Sequence, residues 1–313
     1  MLAYLVKRIL STAPVLLLVG LFVFSLLFIA PGDPATIVAG DKATEADIAR
    51  IRAAMGLDRP FLEQLGSWLW KVLHGDLGQS IFNALPVMDL IKLRLEPTLS
   101  LMAVTLVIAI LVAVPMGVAA AWKAGTWIDR SVMAVAVLGF STPVFVVGYL
   151  LSFFIALKLQ WLPVQGYTPL DQGFWPWLRN LLMPAISLGF IYIALIARVT
   201  RATMLEVLQQ DYIRTARAKG MGQQVILYVH ALKNAAVPIL TAIGIGIALL
   251  IGGAVVTESV FAIPGIGRLT VDAILQRDYP VIQGVVLVCS VAYVLVNLLV
   301  DLAYCILDPR IRY

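Results

Sequence analysis

Six apolar stretches, each about twenty residues or longer, constrain this chain more than any other feature. They run Ile9–Ala30, Thr98–Ala121, Ser131–Leu157, Leu181–Val199, Ala236–Val260 and Val281–Ile306. A hydrocarbon core of about 30 Å takes roughly twenty helical residues to cross. The stretches therefore predict an all-α integral membrane protein with about six transmembrane helices. Composition agrees: 61% of the 313 residues are hydrophobic and 13% charged, with mean hydropathy +0.95. A soluble domain carries about 25% charge, so a large soluble core is excluded. The net charge of +5 then belongs to loops at a membrane surface, not to a nucleic-acid partner.

The first stretch follows Lys7 and Arg8, as a secretion signal would. It is long enough to span, and no small-residue cleavage site follows it, so it reads as a retained first helix. With that end inside, the cytoplasmic segments hold twelve basic residues: Lys7, Arg8, Lys123, Arg130, Arg198, Arg201, Arg214, Arg217, Lys219, Lys233, Arg310 and Arg312. The two short outer loops hold four, Lys158, Arg179, Arg268 and Arg277. Positive charge concentrates on the cytoplasmic side, and long translocated loops escape the rule. Both termini are expected in the cytoplasm.

The long segment 31–97 is patterned as a helical external insertion. Thr44 and Asp47 have the spacing of a capping box. Ile48, Ile51 and Met55 follow at helical spacing, and Gly56 stops the run. Pro60 opens a second helix carrying Phe61, Leu65, Trp68, Leu69 and Val72, and a third short helix is expected over Pro86–Leu95. The segment is either packing alone or a docking surface for an external partner. Within the spans, Gly244, Ala248 and Gly252 recur every four residues and invite close helix packing. Pro143 should kink the third span. Asn297 and Asp301 lie one turn apart near the inner end of span six, where an intramembrane acid is a functional candidate by default, though an isolated one near the interface favours a structural role. Cys289 and Cys305, about 24 Å apart on one helix, cannot pair.

The informative stretch runs from Asp211 to Gly222. It reads as a short helix, a glycine turn and a second helix. Tyr212, Thr215, Ala216 and Lys219 share a face of the first. Gly220 and Gly222 permit conformations closed to other residues. Val225, Val229 and Leu232 make an apolar stripe on the second. The residues alone leave two readings open, a surface loop with interfacial helices or a protein-docking element. Small residues would let a partner approach, and basic ones would pair with its acids.

This stretch resembles the "EAA" loop of permease subunits of binding-protein-dependent ABC importers, in which Glu-Ala-Ala is followed after three residues by Gly. Arg214, Thr215, Ala216 and Gly220 occupy those positions, the variant typical of the peptide and nickel branch. The run from His230 through Asn234 and Ala235 to Pro238 continues that branch's pattern. So do Ala30-Pro-Gly-Asp-Pro34, Met55-Gly-Leu-Asp-Arg-Pro60, Gly75-Asp-Leu-Gly-Gln-Ser80, Gly252-Gly253, Glu258, Val260-Phe261, Pro264-Gly-Ile-Gly-Arg268, Arg277-Asp-Tyr-Pro-Val-Ile-Gln283 and Leu307-Asp-Pro-Arg-Ile-Arg312. The resemblance covers nearly the whole chain and is closest to the first permease subunit of the dipeptide, oligopeptide and nickel importers.

The resemblance implies a type I ABC importer permease fold over 1–313, with 204–235 as a cytoplasmic coupling loop. It implies that Tyr212, Arg214, Thr215, Ala216, Arg217, Ala218, Lys219, Gly220, Met221 and Gly222 dock on a cytoplasmic ATPase. Glu258, Phe261, Pro264, Gly265, Gly267 and Arg268 are candidates for facing the pathway or the binding protein. Glu258 has an equal claim to a structural pairing with Arg268 or another basic residue. Expected partners are a second homologous permease in a heterodimer, two ATP-binding subunits, an external substrate-binding protein and membrane lipid. The chain itself is expected to be non-catalytic and to bind no cofactor or metal. It has no GxxxxGK[ST] loop, and ATP and Mg are used by the partner subunits. The implied setting is the bacterial inner membrane. The implied cargo is peptide, with nickel chelates, glutathione or opines as alternatives. An ion-coupled secondary transporter would place more ionisable residues near the midplane, on broken helices of repeated halves.

Overall fold

The computed structural model describes residues 2–29, 33–40, 43–54 and 56–307. The sequence motifs at Ala30, Pro31, Gly32 and Met55, and the basic residues Arg310 and Arg312, lie outside the described residues. Among the described residues every named element is a helix. In chain order these are α1 (Leu2–Ile29), α2 (Pro34–Ala39), α3 (Glu45–Ala54), α4 (Phe61–Leu73), α5 (Val87–Trp122), α6 (Trp127–Ser141), α7 (Val144–Leu151), α8 (Phe174–Leu208), α9 (Asp211–Ala218), α10 (Leu232–Asn234), α11 (Ala236–Val260), α12 (Ile266–Gln276) and α13 (Tyr279–Leu307). Two π-helical stretches, Ser152–Lys158 and Val225–Ala231, continue α7 and precede α10, and a 3-10 turn, Leu170–Gln172, precedes α8.

Among the described residues five helices, α1, α5, α8, α11 and α13, are long and apolar enough to cross a membrane. Where the third span is expected, two helical segments meet instead of one kinked helix: α6 and the stretch from Val144 to Lys158 are bent by 106° at the break between them. Thr142 and Pro143 are both extended, with ψ of 122° and 140°. Proline lacks the amide for the helix ladder and disfavours helical backbone at the residue before it. Pro97, Pro115 and Pro184, in contrast, sit inside unbroken helices. The short helix expected over Pro86–Leu95 is the beginning of the 36-residue α5, which runs on through Pro97. Span four likewise extends beyond its expected limits, to 35 residues.

The chain divides into two compact units, residues 1–95 with 269–294, and 96–268 with 295–313. In the first, Thr44 and Asp47 form the expected capping box. The Thr44 amide donates to Asp47 Oδ2 at 3.2 Å, and the Asp47 amide to Thr44 Oγ1 at 3.3 Å. Gly56, with φ +68°, ends the run, and Pro60 caps α4. The face of α4 bearing Phe61 and Trp68 meets α1, their rings lying 5.4 and 5.5 Å from that of Phe24. Gln283 on α13 donates to the Val23 carbonyl at 3.2 Å. Buried Asp278 accepts the Ser80 hydroxyl at 2.5 Å and the Ile81 amide at 3.3 Å. It thereby joins two of the motif segments noted in the sequence.

In the second unit α8 is central and packs against α6, α7 and α11. Its apolar core includes Leu101, Leu181, Met183, Leu188, Ile196 and Met204. Close packing through small residues occurs, but not along the whole expected stripe. A Cβ at Gly244 would lie 2.7 Å from Val300, whereas nothing approaches Gly252. Asn297 and Asp301 are half-buried on α13, and each engages a partner.

Candidate functional sites

The α9 segment hangs from the end of α8 by a two-residue link, Gln209 and Gln210. An eight-residue helix is too short to hold itself in water, so its underside must pack. Ile213 is fully buried and Ala216 lies beside it. The sequence reading missed Ile213, although its three-residue spacing from Ala216 marks an inward edge. Ala216 turns away from the face expected to carry Tyr212, Thr215 and Lys219. Those three, with Arg214, Arg217 and Ala218, remain exposed. The Thr215 hydroxyl donates to the Asp211 carbonyl at 3.0 Å. Arg214 pairs with Asp211 at 3.2 Å in solvent, an arrangement worth little to stability. Partial desolvation pushes the Tyr212 hydroxyl pKa up, against the opposing effect of a hydrogen bond with Asn234.

The helix ends at Gly220, with φ +76°. The Gly220 amide donates to the Arg217 carbonyl at 3.0 Å and the Met221 amide to the Ala216 carbonyl at 3.2 Å, the pairing of a left-handed helix stop. Beyond it, the apolar stripe predicted through Val225, Val229 and Leu232 does not form. Ile226, Leu227 and Ala231 are buried, while Val225 and Val229 are exposed. The stretch is π-helical, so its wider turn rotates the inward face away from the α-helical spacing. Val225, Tyr228 and Val229 are thereby exposed, as is Met221 before the stretch begins.

The second candidate site lies at the end of α11. Glu258 is fully buried. Its Oε1 accepts the Thr98 hydroxyl at 2.6 Å, and its Oε2 accepts the Arg268 amide at 2.9 Å. Thr98 Oγ1 in turn accepts the Ile266 amide at 2.8 Å. Ile266 and Arg268 open α12, whose first amides have no partners within the helix. A carboxylate from α11 and a hydroxyl from α5 supply them, and negative charge is favoured there by the helix dipole. This explains the glycines: a Cβ at Gly265 would lie 2.2 Å from Glu258 Cδ, and one at Gly267 would lie 2.5 Å from Val255 Cα. Phe261 is buried, and its carbonyl accepts the Gly166 amide at 2.9 Å. Pro264 and Arg268 are half-buried. Thr98, 160 residues from Glu258 in sequence, was not a sequence candidate.

The family of binding-protein-dependent transport system inner membrane components matches residues 113–313, and the N-terminal family of the same membrane components matches residues 1–103. The "Probable peptide ABC transporter permease protein y4tP" of Sinorhizobium fredii is 53% identical over 310 residues, covering 99% of each chain. The dipeptide transport system permease protein DppB of Alkalihalophilus pseudofirmus is 40% identical, and the glutathione transport system permease protein GsiC of Pectobacterium atrosepticum 42% identical, each over the full length of both chains. In fold, the chain is similar to a solved structure of the MetNI methionine ABC transporter, with TM-score 0.59 at 18% identity over 71% of this chain and 97% of that one. The apolar helices and these full-length matches converge: the chain belongs to the binding-protein-dependent transport system inner membrane components, the non-catalytic transmembrane permease subunits of ABC importers.

Proposed function

We propose that this permease forms half of a translocation pathway for di- and oligopeptides, driven by ATP hydrolysis in partner subunits. It pairs with a second homologous permease. Two cytoplasmic ATPases use ATP and Mg, and an external binding protein delivers the cargo. The chain sits in the bacterial inner membrane with both termini in the cytoplasm, the orientation favoured by its basic loops. Relatives named for peptide, dipeptide and glutathione transport support a peptide cargo. Glutathione is the second reading, because one full-length relative carries that name.

Within this assembly 204–235 is the coupling loop, and 31–97 lies outside. The observation that carries the reading is the form of α9. Its underside is anchored by Ile213, its outer face is exposed and rich in small and basic residues, and Gly220 holds a left-handed stop. Such an element can seat in a groove of an ATPase and move as a rigid joint. The buried Glu258 site holds the exit from α11 in one shape at the head of the pathway.

The test is Gly220→Val in the reconstituted importer. No atom lies within 4 Å of a Cβ there, so the effect comes from backbone strain at φ +76°, where a β-branched residue is a genuine outlier. ATP-dependent uptake of a labelled dipeptide should be lost while membrane insertion is retained. Unchanged uptake would remove the coupling role.

A further inference from the structure

Asp129, in the first turn of α6, is buried, with 6% of its side chain exposed. Its carboxylate accepts both Nε and Nη2 of Arg201 on α8, the latter at 2.7 Å. It also accepts the Gly125 amide at 2.9 Å. The two residues are 72 apart in sequence. Arg201 precedes the last residue of α8 by two helical turns, and α9 begins just beyond that end.

The same pair of helices stays in contact farther along. A Cβ at Gly139 of α6 would lie 2.8 Å from that of Ala194 and 3.0 Å from the Phe190 carbonyl oxygen. Past the break, the Ser187 hydroxyl of α8 donates to the Val144 carbonyl of α7 at 2.8 Å. Thus α8 holds both halves of the broken span. Packing at Gly139 is apolar and can slide. The guanidinium fork cannot, because its two parallel bonds admit one register. With Asp129 buried and Arg201 partly exposed, the pair adds little net stability, and in some proteins such pairs serve to fix an arrangement instead.

We propose that Asp129 and Arg201 are the positioning pair that makes α6 and α7 follow α8 when α9 is displaced, so that ATP-driven motion reaches the broken span. The proposal rests on the coupling role of α9. The experiment uses the assembled importer in proteoliposomes, with Cys289 and Cys305 replaced by alanine. Spin labels are placed at Trp127→Cys on α6 and Glu206→Cys on α8. The critical variant is Asp129→Leu with Arg201→Met, which removes the pair without leaving a lone buried charge. Arg201→Lys is the second variant, since it keeps the charge and loses the fork.

With the native pair, the label-to-label distance should be the same before and after trapping with ATP and vanadate. In both variants it should shift on trapping. Labelled dipeptide imported per ATP hydrolysed should fall about tenfold, within the range one coupling interaction commands. ATP turnover per assembled complex should persist. A trapping-invariant distance and native import per ATP in the Leu/Met variant would overturn the proposal, as would a distance that already shifts with the native pair. Gly220→Val, run in parallel, separates the failures. If it blocks import while the Leu/Met variant imports normally, this proposal alone falls. If it imports normally, the coupling role of α9 falls, and this proposal with it.

Discussion

Replacing Gly265 by alanine should collapse the buried cap at the start of α12. The new Cβ would meet Glu258 Cδ and Oε1 at 2.2 Å and Oε2 at 2.4 Å, and these are its three nearest atoms. Glu258 is fully buried, so it must shift by an ångström or more and give up the Thr98 hydroxyl, the Arg268 amide or both. A hydrogen bond to a charged group is worth about 1.5–3 kcal/mol, and overpacking a core costs about 1–3 kcal/mol. Together they put the loss at about 2.5–6 kcal/mol, or on the order of 10 °C in the unfolding midpoint of a unit this size. The assay is thermal unfolding of the purified importer, followed by the fraction remaining monodisperse. Glu258→Ala should also destabilise, because it strands two donors. In that background Gly265→Ala should cost about 1 kcal/mol or less, since the atoms it strikes are gone and contacting residues are non-additive. If Gly265→Ala lowers the midpoint equally with and without Glu258, or not at all, the capping account is wrong.

Two further outcomes follow from packing. Ile213→Ala should cost about 2–4 kcal/mol at a fully buried site. Limited proteolysis between α8 and Gly222 should then accelerate and ATPase recovery with the purified permease should fall, whereas Tyr212→Ala should leave proteolysis unchanged. Asp278→Asn should weaken its acceptance of the Ser80 hydroxyl and Ile81 amide by about 1–3 kcal/mol. Amide hydrogen exchange should rise over 75–86 and stay constant in α9.

The sequence by itself settled whatever depends on runs of neighbouring residues. Apolar length announced the spans because a bilayer core demands about twenty helical residues. The Thr44–Asp47 box, the stop at Gly56 and the start at Pro60 were legible because each is a bargain struck within four residues. The α9 segment was legible as a short helix closed by glycine for the same reason.

Tertiary structure decided what depends on rotation or on distant partners. Hydropathy gives the length of a helix but not which way each side chain turns. Helical spacing groups Ala216 with Tyr212, Thr215 and Lys219, yet Ala216 is buried, and the π-helical turn reverses the expected stripe at Val225 and Val229. Nor did the prolines carry their outcome with them. Pro143 separates two helices at 106°, while Pro97 and Pro184 leave theirs intact. The polar contacts that organise the fold, Asp129 with Arg201, Thr98 with Glu258 and Ser80 with Asp278, join residues 72, 160 and 198 positions apart. A buried charge must find a partner, but the chain states only that the need exists; which residue meets it is fixed when the helices pack.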